Sequence, residues 1–269
     1  MVANFWASIW HLALITKECE MEPGPDETLD HLAGEWRVFQ HQRGQRFATD
    51  DVLVAWTGRR ARPRARRLLD LGAGVGSVGL MALMRMPADA RLTAVEVQAT
   101  SAALLRKTVA LNDLGARVVV CEGDLRDPST LVAAERFELI LANPPYLPPE
   151  SASRSPYPLR AGARLELHGD IFDYCRVAEC HLDLDDEARF CFCHAASDPR
   201  PPRAVEAAGL RLLARQEVLF RAGRPPTIAL YTCARTGERV DLPPLAVRDT
   251  NGARSAAYRE VRREMWIEA

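Results

Sequence analysis

Apolar and polar residues alternate along residues 67–142 with a period that changes from one stretch to the next. Short apolar runs are followed by longer stretches in which apolar residues recur three and four positions apart, which is helical spacing. The pattern predicts strands at 67–71, 91–96, 117–122 and 137–142, and helices at 76–86 and 98–113. Because strands alternate with helices, we predict an α/β domain with a parallel sheet.

The second half of the chain continues this alternation after a Pro-rich loop at 147–163. Its pattern predicts helices at 170–184 and 202–208, and strands at 188–194, 210–219 and 227–234. No helix separates the last two strands, so they must pair antiparallel through the 222–226 connection. The predicted fold class is α/β and Rossmann-like. Its mostly parallel seven-stranded sheet with an antiparallel terminal strand is typical of class I methyltransferases and not of dehydrogenases.

The chain before the first sheet strand divides into two segments. Residues 1–21 are apolar and aromatic, and a polar stretch follows Met21. We expect residues 1–20 to be a flexible or non-native extension before a natural start at Met21; the alternative is a short amphipathic docking helix. Residues 22–66 are predicted to form a hairpin that turns at Gly44 and a helix capped by Thr49. The catalytic domain is predicted to span residues 67–269.

Composition and charge narrow the class of protein. Hydrophobic residues make up 48% of the chain and charged residues 26%, as in globular domains, and the net charge is −1. The apolar N-terminal stretch is too short to cross a bilayer, and the seven cysteines lack disulfide-like spacing, so we expect a cytoplasmic protein without membrane contact. Cys191 and Cys193 are expected to share one buried face of a strand, and no metal site is predicted.

Six arginines lie between residues 59 and 67. Such a run is either a solvated surface or a patch that binds nucleic-acid phosphates. If it is a phosphate patch, replacement of four of its arginines should weaken RNA binding and flatten its salt dependence.

A glycine-rich turn follows the first strand of the predicted sheet. The segment Asp70-Leu71-Gly72-Ala73-Gly74-Val75-Gly76 leads into a helix, where glycines permit positive φ and free N–H groups can meet a ligand. Residues 74–79 also fit the dinucleotide fingerprint, so the glycines alone do not distinguish NAD from S-adenosylmethionine. Asp70 favours S-adenosylmethionine, because a carboxylate suits its cationic methionine end, whereas a dinucleotide site faces a negative pyrophosphate.

Two further acidic residues end the next two strands. Glu96 can accept hydrogen bonds from both hydroxyls of a ribose, which fits either cofactor. Asp124 can accept a hydrogen bond from the exocyclic amine of adenine. Both carboxylates are therefore predicted to contact the cofactor.

The tetrapeptide Asn143-Pro144-Pro145-Tyr146 ends the fourth strand and has no role in hydride transfer. The amine of a base or a carboxamide is a poor nucleophile, because its lone pair is delocalised. Asn143 and Pro144 offer carbonyl acceptors for it, neither proline has a competing N–H, and Tyr146 offers a face for stacking. The sequence thus predicts N-methylation of a planar amine, which leaves adenine, guanine and glutamine open. A base would have to be extruded or single-stranded.

Over about residues 27–266 the chain resembles the bacterial tRNA1(Val) (adenine-37-N6)-methyltransferases, small-domain enzymes that carry Asn-Pro-Pro-Tyr. Besides the motifs above, the resemblance rests on residues 45–53, 123–127, 224–226, 247–249 and 258–259. It implies N6-methylation of an adenine in tRNA, at position 37 beside the anticodon, with S-adenosylmethionine as cofactor and tRNA as partner. Asp51 departs from the pattern, since relatives often have Gly or Ser there.

The resemblance also implies a role for individual residues. The residues implied at the target amine are Asn143, Pro144, Pro145 and Tyr146. Those implied at the cofactor are Phe47, Thr49, Asp70, Gly72, Ala73, Gly74, Gly76, Glu96, Val97, Asp124, Leu125 and Asn143. Tyr146, Arg164 and Arg224 are the candidates for binding the RNA substrate.

Three alternatives stay open. A protein-glutamine N5-methyltransferase uses the same tetrapeptide but usually carries a helical domain before the fold, which residues 22–66 do not resemble. An rRNA guanine N2-methyltransferase would share the same chemistry. A non-catalytic module would bind S-adenosylmethionine or RNA but transfer no methyl group. A monomer is expected, although the sequence does not determine the oligomeric state.

Overall fold

A mostly parallel β-sheet covered by helices forms the centre of the protein. The structure is a computed structural model that describes residues 22–44, 46–146 and 165–267. Its elements, in chain order, are β1 (Glu27–Ala33), β2 (Trp36–His41), α1 (Thr49–Ala61), β3 (Arg67–Leu71), α2 (Ser77–Met84), β4 (Arg91–Glu96), α3 (Ala99–Leu111), β5 (Val118–Glu122), β6 (Leu139–Ala142), α4 (Ile171–His181), β7 (Arg189–Ala195), α5 (Arg200–Ala207), β8 (Arg211–Leu219), β9 (Ile228–Ala234), β10 (Val240–Asp241), β11 (Leu245–Ala246) and α6 (Ala256–Glu264). Among these helices, none is long and apolar enough to span a membrane.

The seven predicted strands lie in the order β5-β4-β3-β6-β7-β9-β8. Only β9 runs antiparallel to its neighbours, and it pairs with both β7 and β8. The short connection after β8 forces this direction, because a parallel return needs a longer crossover. The two-residue strands β10 and β11 add to the free side of β8. The predicted fold class is confirmed.

Side chains of the central strands alternate between two hydrophobic clusters. In β6, Leu139 and Leu141 join the cluster on one face, whereas Ile140 and Ala142 join the other, and all four are fully buried. This alternation follows from the two-residue period of a strand, and burial on both faces explains the continuous apolar run. Helices α1 and α2 contribute to the first cluster and α4 to the second.

The carboxyl ends of β3, β4 and β6 meet at one edge of the sheet. Leu71, the last residue of β3, pairs with Val95 on one side and with Ala142 on the other. The residues that follow these strands therefore lie side by side. Ligands of open α/β sheets bind at this edge.

The N-terminal hairpin has a different turn from the predicted one. Strand β1 pairs antiparallel with β2 around Gly34, whereas the turn predicted at Gly44 is wrong. Arg46 and Phe47 lie outside any strand. Strand β1 carries several polar residues and lacks the alternation that identifies a half-buried strand. The hairpin packs on α3, and the buried Phe39 donates its N–H to Thr108 Oγ1 at 3.0 Å.

Helix boundaries differ from the predicted ones by one to three residues. The N-cap of α1 is Ala48 and not Thr49, because Asp51 Oδ2 accepts the Ala48 N–H at 2.9 Å. Helix α5 begins at Arg200 and not at 202, since prolines fit the first turn of a helix, where an N–H has no helical partner. Helix α4 ends at His181 and not at 184.

Replacement of Gly34 by Ala should destabilise the protein by about 1–2 kcal/mol. Gly34 has a φ of +53°, and an added Cβ would lie 2.7 Å from Met84 Sδ. Gly115→Ala is the matched control, since no atom lies within 4 Å of the added Cβ and its φ is not positive. Denaturant unfolding of both variants measures the difference; equal stability of the two would contradict the assignment of the turn.

Candidate functional site

A cavity of about 550 Å³ lies at the edge of the sheet where the carboxyl ends meet. Its volume is in the range of small-molecule sites. The cavity brings together most of the residues that the sequence predicts for a site. These are Phe47, Thr49, Gly72, Ala73, Gly74, Glu96, Val97, Leu125, Asn143, Pro144, Pro145 and Tyr146.

The glycine-rich turn forms one wall of the cavity. Gly72, Gly74 and Gly76 have φ values of +68°, +57° and +88°, a region that side chains disfavour. No atom lies within 4 Å of the position that a Cβ on Gly74 would occupy, so a ligand can approach the backbone there. A Cβ on Gly72 would collide with the Tyr174 hydroxyl, so this glycine also permits close packing.

The carboxylate of Glu96 connects the turn to the end of β4. Its Oε2 accepts the Gly74 N–H at 2.7 Å, and its Oε1 accepts the Gln98 N–H at 2.7 Å. A carboxylate offers about four lone-pair sites, so acceptor capacity remains for a hydroxyl group of a ligand. The side chain therefore both holds the turn and presents acceptors to the cavity.

The side-chain amide of Asn143 has partners on both of its ends. Its Nδ2 donates to Asp51 Oδ1 at 2.7 Å and to Asp50 Oδ2 at 3.2 Å. Its Oδ1 accepts from the Cys193 thiol at 2.8 Å. The reversed amide would place its oxygen against two carboxylates, so the orientation is electrostatically defined. Nearby, the ring of Tyr146 lies 5.7 Å from that of His194.

Similarity to known proteins supports a methyltransferase. Residues 51–155 match the model of the methyltransferase small domain. A Shewanella amazonensis protein named tRNA1(Val) (adenine(37)-N6)-methyltransferase is 29% identical over 225 residues, which cover 83% of this chain and 93% of that protein. A Porphyromonas gingivalis protein of the same name is 35% identical over 125 residues, 45% of this chain and 48% of that protein. The resemblance predicted from the motifs is confirmed.

Two solved structures share the fold. One is described as a predicted O-methyltransferase from Agrobacterium tumefaciens; its TM-score is 0.57 at 21% identity, with 82% of this chain and 99% of that chain covered. The other is the M. jannaschii tRNA m1G37 methyltransferase, with a TM-score of 0.51 at 13% identity over 79% of this chain and 58% of that chain. The chain has the fold of these methyltransferases.

Similarity to methyltransferases implies S-adenosylmethionine as the methyl donor, and the buried carboxylates of Asp51 and Glu96 line the cavity. Burial raises the pKa of Asp51 to about 7, with Asp50 adding to the shift, and burial raises the pKa of Asp70 to about 8. Burial also raises the pKa of Glu96. A positive charge beside these carboxylates favours their ionised forms. The Asp70 Oδ1 is buried and has no hydrogen-bond partner among the described residues.

Three of the predicted cofactor residues act behind the cavity wall. Asp70 does not line the cavity, and its Oδ2 accepts the Gly79 N–H of α2 at 2.8 Å. Gly76 is the N-cap of α2. Asp124 also lies outside the lining, and Arg126 forms an ion pair with it at 2.6 Å that holds the pKa of the carboxyl below its usual value. In this structure the Asp124 carboxylate therefore faces Arg126 and not the cavity, where the sequence predicts its contact with adenine.

The predicted RNA-binding arginines lie in different places. Arg224 is exposed on the β8–β9 connection, beside cavity residues Phe220 and Thr227, whereas Arg164 lies outside the described residues. The run at 59–67 extends from the last turn of α1 to the start of β3, at the opposite end of the strand from the cavity. Most of the run is engaged within the protein, in ion pairs of Arg59, Arg62, Arg66 and Arg67 and a cation–π contact of Arg60.

Sequence reasoning missed the groups that hold Asn143. Asp51 was noted only as a departure from a family pattern, and Cys193 was interpreted as a small buried hydrophobe. Cys191 and Cys193 do share one buried face, as predicted, but the Cys193 thiol also contacts Asn143. Asp51 and Asn143 are 92 residues apart, and no local pattern connects them. His168 also lines the cavity.

Asp51→Asn should lower kcat about 10- to 100-fold, the effect of removing a hydrogen bond to a charged group in the active arrangement. An asparagine can turn its own NH₂ toward Asn143 and so reverse the amide. The wild-type kcat/KM, which reports the free enzyme, should rise with pH through about 7, because only the ionised Asp51 accepts from both Asn143 and Ala48. The variant should lack this rise.

Asp50→Asn is the matched comparison, because its contact with Asn143 is longer, at 3.2 Å. Its loss of kcat should be smaller, and its pH profile should keep the rise but at a lower pH, because the charge of Asp50 no longer raises the pKa of Asp51. Steady-state rates across a pH series measure both properties. Equal losses, or an unchanged pH profile in Asp51→Asn, would show that Asp51 does not orient the amide.

Asp70→Asn should become more stable relative to the wild type as the pH rises. The pKa of Asp70 is higher in the folded protein than in the unfolded chain, so protonation of Asp70 adds to the free energy of unfolding. This contribution is complete below the ordinary pKa of an aspartate and is lost as the pH rises through about 8. The difference in unfolding free energy should change by up to about 1.4 kcal/mol per pH unit between about pH 5 and 8. Asp89→Asn, at an exposed position, should show no such trend. Parallel trends would rule out a protonated Asp70.

Proposed function

We propose that this methyltransferase transfers a methyl group from S-adenosylmethionine to N6 of an adenine in tRNA, at position 37 beside the anticodon. The observation that carries the proposal is the orientation of Asn143 at the cavity. Its NH₂ is committed to Asp51 and Asp50, so its oxygen is the group left to accept from a target amine. Only one of the two lone pairs of that oxygen is used by Cys193.

The residues of the tetrapeptide divide the chemical task. Asn143 Oδ1 and the Pro144 carbonyl accept the two N–H groups of the target amine and draw it toward tetrahedral geometry. Tyr146 stacks on the base, a contact worth about 1–3 kcal/mol. S-adenosylmethionine supplies the methyl group on a sulfonium that leaves as a neutral thioether. The new bond forms from the amine lone pair, and the amine proton departs afterwards to water, so no strong base is required.

The cofactor is proposed to lie along the glycine turn. Gly72, Ala73 and Gly74 provide the backbone surface, and Glu96 accepts from the ribose through its remaining acceptor capacity. Phe47, Thr49, Val97 and Leu125 line the remaining wall. Asp70 and Gly76 shape the turn from behind. The buried carboxylates favour the cationic donor over the neutral thioether product, which assists product release.

The choice of adenine in tRNA rests on the relatives. The Shewanella amazonensis protein, 93% of which is matched, is named for that reaction, as is an Aeromonas hydrophila protein 27% identical over 91% of its length. Protein glutamine and rRNA guanine are the competing planar amines. A tRNA substrate implies an enzyme that works in the cytoplasm.

Nucleoside mass spectrometry of tRNA from a deletion strain tests the proposal. The tRNA should lose N6-methyladenosine, and the wild-type gene should restore it, whereas Asn143→Ala should not. A purified Asn143→Ala protein that still binds S-adenosylmethionine shows that the loss lies in the chemistry.

Retention of N6-methyladenosine in the deletion strain would refute the assignment to tRNA adenine. Loss of a methylated glutamine or of N2-methylguanosine would then identify the competing substrate. Absence of methyl transfer to any of the three, with cofactor binding intact, would indicate a non-catalytic module.

A further inference from the structure

Five arginines converge on one surface beside the cavity. This arginine surface consists of Arg221, Arg224, Arg248, Arg254 and Arg259, from the β8–β9 connection, the segment that leads into α6 and the first turn of α6 itself. The backbone holds the two segments together. The Ala222 N–H donates to the Arg248 carbonyl at 2.8 Å, and residues 248 and 254 form an antiparallel bridge.

The charges of the arginine surface are not neutralised within the described chain. No ion pair among the described residues includes any of the five. Arg248 Nη1 donates to the Gly252 carbonyl at 2.7 Å, and Arg259 donates to the Arg254 carbonyl. Two carboxylates are adjacent to these arginines in the sequence: Asp249 accepts the Ala253 N–H, and Glu260 pairs with Arg263. The 59–67 run differs in this respect, because ion pairs already use the guanidinium groups of Arg59, Arg62, Arg66 and Arg67.

The position of the surface relates it to the cavity. Phe220 precedes Arg221 and lines the cavity while 38% of its own surface stays exposed. Thr227 and Ile228, at the other end of the same connection, also line the cavity. A polyanion bound to the arginine surface would therefore pass the entrance of the site.

We propose that the arginine surface binds the phosphates of the RNA strand that flank the target base. Guanidinium groups that donate to neutral carbonyls keep their full charge and several N–H donors, which suit phosphate oxygens. Such contacts fix the register of the strand without reading its sequence. This inference rests on the proposed function, because it assigns RNA as the substrate of the neighbouring cavity.

Replacement of Arg221, Arg224, Arg248 and Arg259 by Gln tests the surface. Arg254 is left in place because it is partly buried. Binding of purified tRNA is measured over a series of salt concentrations. The affinity should fall at least tenfold, and the slope of log K against log salt should flatten by about 0.7–0.9 for each phosphate that the variant no longer neutralises.

The matched control replaces Arg60, Arg64, Arg66 and Arg91 by Gln. These four arginines are exposed near the opposite edge of the sheet. The charge change is the same, so the control should bind tRNA with wild-type affinity and slope. If both variants weaken tRNA binding equally, the effect arises from net charge alone, and the proposal is overturned.

Two further measurements keep the surface and the reaction separate. Retained affinity for S-adenosylmethionine confirms that the quadruple variant is folded; if it is not, Arg221→Gln with Arg224→Gln should give about half the change in slope. If the wild type methylates tRNA and the arginine variant binds it normally, the surface is refuted. If the wild type fails to methylate tRNA yet binding depends on these arginines, the surface stands and the proposed reaction fails. Loss of poly-L-glutamate binding with unchanged tRNA binding would assign the surface to acidic proteins.

Discussion

The hydrogen bond between the Asp51 carboxylate and the Asn143 amide is the contact on which the site depends. It connects the first turn of α1 to the residue that follows β6. Strands β3, β4 and β5 lie between these two elements in the sequence. Because the NH₂ of Asn143 donates to Asp51, the amide oxygen is the end that can accept a hydrogen bond from a target amine. The same carboxylate also caps α1, so the orientation of the amide and the position of the helix are coupled.

Burial of acidic groups gives the cavity its electrostatic character. Asp51, Asp70 and Glu96 lie on adjacent elements, and each has a raised pKa because burial disfavours its charged form. Such carboxylates are costly in an empty site. A cationic donor offsets this cost and a neutral thioether does not, so the energy that destabilises the empty site contributes to discrimination between donor and product.

The elements that the sequence predicted correctly are those whose hydrophobic pattern is set by neighbouring residues in the chain. Strands β3, β4, β6, β7 and β9 are buried along most of their length, so their apolar runs identify them in the sequence. The hairpin turn was misplaced because the polar residues of β1 obscure its period. Contacts such as Asp51 with Asn143 depend on tertiary packing. The arginines show the same limit: Arg62 is engaged by Asp185, 123 residues away, whereas Arg221 and Arg248 are distant in sequence but adjacent in the fold.

A crystal structure of the protein with S-adenosylhomocysteine and an adenine nucleotide tests the central claim most directly. The account predicts that Asn143 Oδ1 lies within hydrogen-bond distance of adenine N6, with Nδ2 still donating to Asp51 and the Tyr146 ring stacked on the base. An adenine bound with N6 directed away from Asn143, or an Asn143 amide released from Asp51 in the complex, would contradict the account.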